Sequence, residues 1–338
     1  SLNITTFEPI LYVGNNPIKL DKLNTNLSIY SYFNKNFAIQ NIQLSSSKIS
    51  VSNLIKSIRL YQKNIQLLIL DKIIEKGSVK INFSAKFDKN GKIKDDFLLD
   101  GVLQNVNLKL LNKDRVNSIN FSFNATKNNY LFEDINLEFK ELNVNFPKLK
   151  IIKQEDAFFV EGEFRNSKQE ISLDTLAYLF KNLDFKKINA KKLLLASKNI
   201  ISFKLDKKLK LSNLNINSKI DLEKLIFISK DKLLLNFDNS IEFKENILNI
   251  SYKKNKWQID GNGKYSLNKK FDNISYSISI SDNLVKFDNT IELKNLPFEI
   301  NLLNYKKKDN QEAILNFEGE YKKNKFLKLK YINFTDNN

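Results

Sequence analysis

The chain has no cysteine, no histidine and no methionine in its 338 residues, and only eight glycines, four prolines and one tryptophan. Without cysteine there is no disulfide framework and no thiolate chemistry. Histidine is the side chain that ordinarily titrates near neutral pH and the commonest metal ligand. Its absence excludes Ser-His-Asp, Cys-His and histidine-zinc sites within the chain. No run of about 18 apolar residues is present, so no membrane-spanning helix is expected, and no signal-peptide pattern occurs. A first residue other than methionine leads to the expectation that the chain is an excised segment of a longer protein, with any anchor outside it.

The net charge is +17, carried by 55 basic against 38 acidic residues. The excess is spread evenly along the chain, whereas a nucleic-acid footprint concentrates in a patch or stripe. Only three basic residues are arginine, Arg59, Arg115 and Arg165, although arginine is the side chain suited to bidentate phosphate and base contacts. No nucleic-acid partner is expected. Loose attraction to anionic membrane surfaces remains open.

What is abundant is a two-residue beat. Val79-Lys80-Ile81-Asn82-Phe83-Ser84-Ala85-Lys86-Phe87 alternates apolar and polar, and the pattern returns as far as Phe334. Period two gives strands with one apolar and one polar face. The phase slips by one between Ile39 and Ile42, which suggests a bulge or turn. Asn90-Gly91 between alternating segments is a hairpin signal. Pro147 is expected at a strand end or on an edge, because proline cannot donate to a ladder.

Helical spacing interrupts the beat twice. Ser52 is a candidate cap for a helix with Leu54, Ile55, Ile58 and Tyr61 on one face. A second, well-buried piece follows through Ile65, Leu68, Ile69 and Ile73, with Gly77 as its stop. A further helix is expected near 173–181, capped by Ser172 or Asp174. The expected division is 1–182, with helices near 52–76 and 173–181, and 183–338 as a second strand segment.

About ten strands is the usual limit for an open twisted sheet, and roughly twenty are readable here. Sandwiches, a closed barrel or a curled trough would each accommodate them. Wet faces bearing Lys80, Asn82, Ser84 and Lys86 are too polar for lipid, which disfavours an outer-membrane barrel. No catalytic constellation is found, and no enzyme, cofactor or metal is expected. Asp95-Asp96 and Glu155-Asp156 are no ready carboxylate dyads: neighbours on a strand point to opposite faces, and near turns such pairs read as solvated charges. Gly261-Asn262-Gly263 lacks the rest of a dinucleotide loop, and both glycines fall on the apolar phase, where they permit curvature or close approach.

The order of elements carries a family resemblance. Short strands lead to an amphipathic helix pair ending at Gly77. Asp88-Lys89-Asn90-Gly91-Lys92-Ile93 and Leu98-Leu99-Asp100-Gly101-Val102 follow. Then come Ile119-Asn120-Phe121 and Phe159-Val160-Glu161-Gly162-Glu163-Phe164, before the helix at Leu173–Phe180. This order resembles the AsmA-like family of Gram-negative bacteria, in its YhdP- and TamB-type branch. The resemblance covers most of the chain and rests on no single diagnostic residue.

The resemblance implies a mostly β fold: a long curled antiparallel sheet, the repeating β-groove, with a few short amphipathic helices. It implies tethering to the inner membrane by a segment outside this chain, a periplasmic location, and carriage of phospholipids toward the outer membrane. Acyl chains would then lie against Phe83, Phe87, Phe121, Phe123, Phe139, Trp257, Tyr276 and Ile278. Lipopolysaccharide as cargo is not distinguished from phospholipid. The competing reading is a structural β-sandwich segment of a surface protein or adhesin, without lipid.

Overall fold

The computed structural model describes residues 1–62, 65–110, 114–140, 142–179, 190–208, 210–228, 240–267, 269–300, 304–322 and 326–336. The chain is mostly β and divides into two compact units. The first comprises Ser1–Phe164 with Lys204–Lys210, the second Arg165–Phe203 with Leu211–Asn338. The units meet inside strands, at 164/165 and again at 203/204, with a further break at 210/211. Residues 180–189, which include the end of the helix expected near 173–181, lie outside the described residues.

The first unit begins with β1 (Leu2–Phe7), β2 (Ile10–Val13) and β3 (Asn16–Leu27), followed by helix α1 (Ile29–Phe33). Next come β4 (Ile39–Ser46), β5 (Ile49–Ser50), α2 (Val51–Arg59) and α3 (Ile65–Ile73). A meander follows: β6 (Ile74–Lys86), β7 (Leu98–Lys109), β8 (Arg115–Ala125), β9 (Asn129–Phe139) and β10 (Leu142–Lys153). β11 (Ala157–Glu170) carries the chain into the second unit. Antiparallel ladders join β1 and β2 to β3, β3 to β4, β4 and β5 to β6, and each consecutive pair from β6 to β10.

The second unit continues with α4 (Leu173–Leu179), β12 (Ala190–Asp206, its last three residues counted with the first unit), β13 (Leu211–Ile228), β14 (Ser240–Lys253) and β15 (Lys256–Ser266). β16 (Asp272–Ser281) and β17 (Leu284–Glu292) precede a small hairpin of β18 (Phe298–Ile300) and β19 (Tyr305–Lys307). β20 (Ala313–Lys322) and β21 (Phe326–Asp336) complete it. From β13 to β17, and on through β20 to β21, consecutive antiparallel ladders run without a crossover.

Tight turns explain how so many reversals occur with so little glycine. Lys253 pairs with Lys256, and the two residues between them, Lys254 and Asn255, both have positive φ. This is the geometry that matches strand twist in a two-residue hairpin. Asn90-Gly91 behaves differently. The Asp88 carboxylate accepts the N–H groups of Asn90 and Lys92, and Phe87 bridges Ile93. The connection from β6 to β7 therefore takes in all of 87–97, because the aspartate builds its own local turn.

A line of bulges crosses the first unit. Gly77, Asn105, Ser118 and Asp134, on four successive strands, all have positive φ, and the register shifts beside them. Asparagines satisfy the disrupted ladder. Asn120 Nδ2 donates to Ser118 O at 2.7 Å and Asn136 Nδ2 to Asp134 O at 3.0 Å, while Asn145 Nδ2 donates to Asn136 Oδ1 at 2.9 Å. Aligned bulges bend and twist a sheet. Two expectations are corrected here. Gly77 does not stop a helix: it lies in β6, where a Cβ would come 2.3 Å from Val106 Cγ2. Pro147 is neither terminal nor at an edge. It sits within β10 between the pairs Phe146–Ile135 and Lys148–Glu133, facing the bulge at Asp134, where no ladder donor is required. The phase slip near Ile39 is a bulge at Gln40, between the pairs Leu27–Ile39 and Asn26–Asn41.

The helices depart from expectation in detail. α2 starts at Val51 with Ser50 in the cap position and no side-chain cap bond, so Ser52 is inside the helix. Tyr61 lies beyond its end and is exposed. Val51 and Ile55 of α2 are buried with Val79, Val106 and Ile119, and Leu103, Phe121 and Phe123 pack around them. α2 thus covers part of the apolar sheet face. α3 is not well buried: Ile65, Leu68, Ile69 and Leu70 are exposed. At the start of α4 the Ser172 hydroxyl accepts the N–H of Thr175 at 3.2 Å, a cap read from the sequence.

Candidate functional site

Strand register in the second unit assembles one apolar face. Tyr252, Trp257, Ile280, Val285, Tyr321 and Leu327 stand opposite one another across β14, β15, β16, β17, β20 and β21. The next row on that face is Ile250, Ile259, Ile278, Phe287, Gly319 and Leu329. A third is Leu248, Gly261, Tyr276, Asn289, Phe317 and Ile332. The intervening row points to the other face and is polar: Ser251, Gln258, Ser279, Lys286, Glu320 and Lys328. With strands about 4.8 Å apart, the six-strand field is roughly 24 Å wide.

This field is not sealed. Trp257 is 37% exposed, Tyr321 44%, Leu327 57% and Ile332 60%. At one end it is closed. Leu293, Leu296 and Ala313 form a buried cluster with Ile291, Phe298, Leu315 and Phe334, and Phe298, Tyr305 and Phe334 meet ring to ring at 5.4 to 6.0 Å. Polar contacts hold this segment down. Lys307, buried, donates from Nζ to the carbonyls of Lys294 and Lys308. The buried Asp272 carboxylate accepts the backbone and side-chain N–H of Asn295. Burial pushes the Asp272 carboxyl above its ordinary value, against the lowering pull of Asn295 and Lys307.

Three cross-strand pairs recur on the apolar faces: Gly101 opposite Phe123, Gly261 opposite Tyr276 and Gly319 opposite Phe287. In each the ring lies over the glycine, so that a Cβ would approach it to between 2.3 and 2.8 Å. The glycine gives a large ring a place to lie flat. Gly263 admits Asn246, whose side chain donates to the carbonyls of Lys244 and Lys264. Close approach at both Gly261 and Gly263 agrees with the sequence reading. Burial also raises the Tyr276 phenol above its ordinary value.

Seven of the eight residues singled out in the sequence fall on the apolar phase of a strand, in different surroundings, and the eighth, Phe87, lies past the end of β6. Trp257 lies against Tyr252 with rings 4.6 Å apart. Ile278 is centred between Ile259 and Phe287, and Tyr276 covers Gly261. In the first unit, Phe83 faces Leu44 and Leu99. Phe121 and Phe123 pack at the cluster covered by α2. Phe139 closes the hairpin end between Val116 and Leu142. Phe87 has left the sheet and stacks on Phe37 at 5.4 Å. Phe287 and Phe317, 6.1 Å apart, and Phe132, 5.7 Å from Phe121, belong to the same faces and were not singled out. For Phe287 and Phe317 the signal was present, since each is an in-phase aromatic in a readable strand, whereas Phe132 is out of phase with Ile135, Leu137 and Phe139 and reaches the same face only through the bulge at Asp134.

Two open concavities, of about 340 and 410 Å³, are lined mainly by polar side chains, such as Asn217, Ser251 and Asp260, and Asn262, Lys264 and Ser275. Among the described residues no group of three or more acidic side chains is placed to hold a metal ion, and no helix is long and apolar enough to cross a membrane. No protein-family model, no curated protein and no solved structure matches the chain.

Proposed function

We propose that this chain is a hydrophobic-groove segment of a bridge-like protein carrying phospholipids between inner and outer membrane, a periplasmic protein of the AsmA-like kind that its sequence resembles. The observation that carries this reading is the half-exposed apolar field of the second unit. Away from its closed end, a sheet face of that width with exposed apolar side chains and no layer packed over it among the described residues leaves large apolar area in water, and acyl chains are a chemically matched cover. Each buried CH₂ contributes roughly 0.8 kcal/mol, enough to hold a chain without specific polar contacts. The head group stays in water. Rows of near-equivalent side chains offer many positions of similar energy, so a lipid slides without any catalytic step.

Alternation supplies a sharp test. A photo-crosslinking residue placed at Ile278 is expected to capture phospholipid in cells, whereas the same residue at the neighbouring Ser277 or Ser279 captures little. Equal capture at all three sites, or none at Ile278, would overturn the reading. A dry structural segment would give protein adducts or none.

A further inference from the structure

One rim of the first unit carries an exposed aromatic tip that the apolar face does not account for. α1 exposes Tyr30 to 78%, Tyr32 to 72% and Phe33 to 77%, and none of its residues is buried. The turn is nevertheless firmly built. Ser28 Oγ accepts the N–H of Ser31 at 3.1 Å, Ser28 N–H donates to Ala38 O at 2.8 Å, and Asn36 N–H donates to Ser31 O at 2.9 Å. The loop at 87–94 stands beside it, because Phe37 lies across Gly91 and against Phe87. Ile93 adds a further exposed apolar side chain.

The charges around this tip are net positive. Asp96 is paired with Lys86 and Asp95 with Lys127, and Asp88 turns its carboxylate onto backbone N–H groups of its own loop. Lys35, Lys89, Lys92 and Lys94 are exposed and make no ion pair among the described residues. Exposed tyrosine and phenylalanine ringed by lysine is the chemistry of a membrane interface: rings enter the head-group layer and ammonium groups meet anionic lipid.

We infer that this rim is a membrane-docking tip whose partner is an anionic phospholipid surface. Rigid hydrogen bonding presents the rings ready to insert, so little ordering cost accompanies binding. The inference is independent of whether the apolar face carries lipid.

The test is co-sedimentation of the whole chain with vesicles of phosphatidylcholine alone and of phosphatidylcholine with phosphatidylglycerol. The chain is expected to sediment with the anionic vesicles, and less so as salt is raised. Tyr30→Ser with Phe33→Ser should weaken this partitioning roughly tenfold or more, and Lys89→Glu with Lys92→Glu should weaken it and flatten the salt dependence. These side chains are exposed, so the variants should keep the wild-type urea midpoint, and capture of lipid at Ile278 should be unchanged in them. Equal sedimentation of wild type and variants would overturn the inference. So would a wild-type dimer in light scattering that the Tyr30→Ser, Phe33→Ser change abolishes, since a second copy would then be the occupant.

Discussion

At the scale of single residues, the glycines and the buried carboxylate set what the sheet tolerates. Gly261→Ala places a methyl 2.3 Å from the Tyr276 ring, and overpacking of this kind costs about 1–3 kcal/mol. We expect a lower urea midpoint for Gly261→Ala and partial recovery when Tyr276→Leu is added, which would tie the loss to the ring. Asp272 gives a pH dependence. Its folded pKa is raised above 3.8, so the folded state binds the proton more tightly than the unfolded chain. Its contribution is full below 3.8 and is lost as pH rises through the raised folded value. Asp272→Asn should therefore gain stability relative to wild type as pH rises across that window, and parallel midpoints at every pH would refute the assignment. Sequence alone located Gly261 and Gly263 as close-approach positions, because they sit in phase with Ile259 and Tyr265. It did not locate Asp272, whose environment is made by Asn295, in the turn after β17, and Lys307, at the end of β19, both distant in sequence.

At the scale of elements, α2 and the β18–β19 segment act as covers on apolar faces that strands alone would leave wet. Ile55→Ala removes a buried side chain from beneath α2 and should lower stability by about 2–5 kcal/mol, the range for large-to-small core changes. An unchanged midpoint would mean that α2 rests loosely on the sheet. The α2 stripe was legible because Leu54, Ile55 and Ile58 repeat at helical spacing. α1 was not, because its residues are exposed and carry no amphipathic period. α3 was legible as a helix, but not its exposure: an apolar stripe states what could be buried, not what is. Pro147 misled for a related reason, since its tolerance inside β10 depends on a bulge in the neighbouring strand.

At the scale of the whole chain, one-sided strands dominate both units, and the polar faces absorb the basic excess. Exposed pairs such as Lys264–Glu245 and Lys330–Glu318 lie there, and each contributes about 0–1 kcal/mol. The mostly β character and the antiparallel meander were legible because period two is a local signal. The unit division within β11 was not, because composition does not change at 164/165. The central claim is that the second unit's apolar face holds lipid. Ile278 is a better probe of it than Phe123, which packs against the cluster covered by α2 and would report on folding as well. The most direct measurement is mass spectrometry of lipid retained by the chain purified in detergent-free buffer, for wild type and Ile278→Asp, each checked for an unchanged urea midpoint. The account predicts phospholipid in stoichiometric amount on the wild type and its loss from the folded variant. A folded, monodisperse wild type with no bound lipid would contradict it.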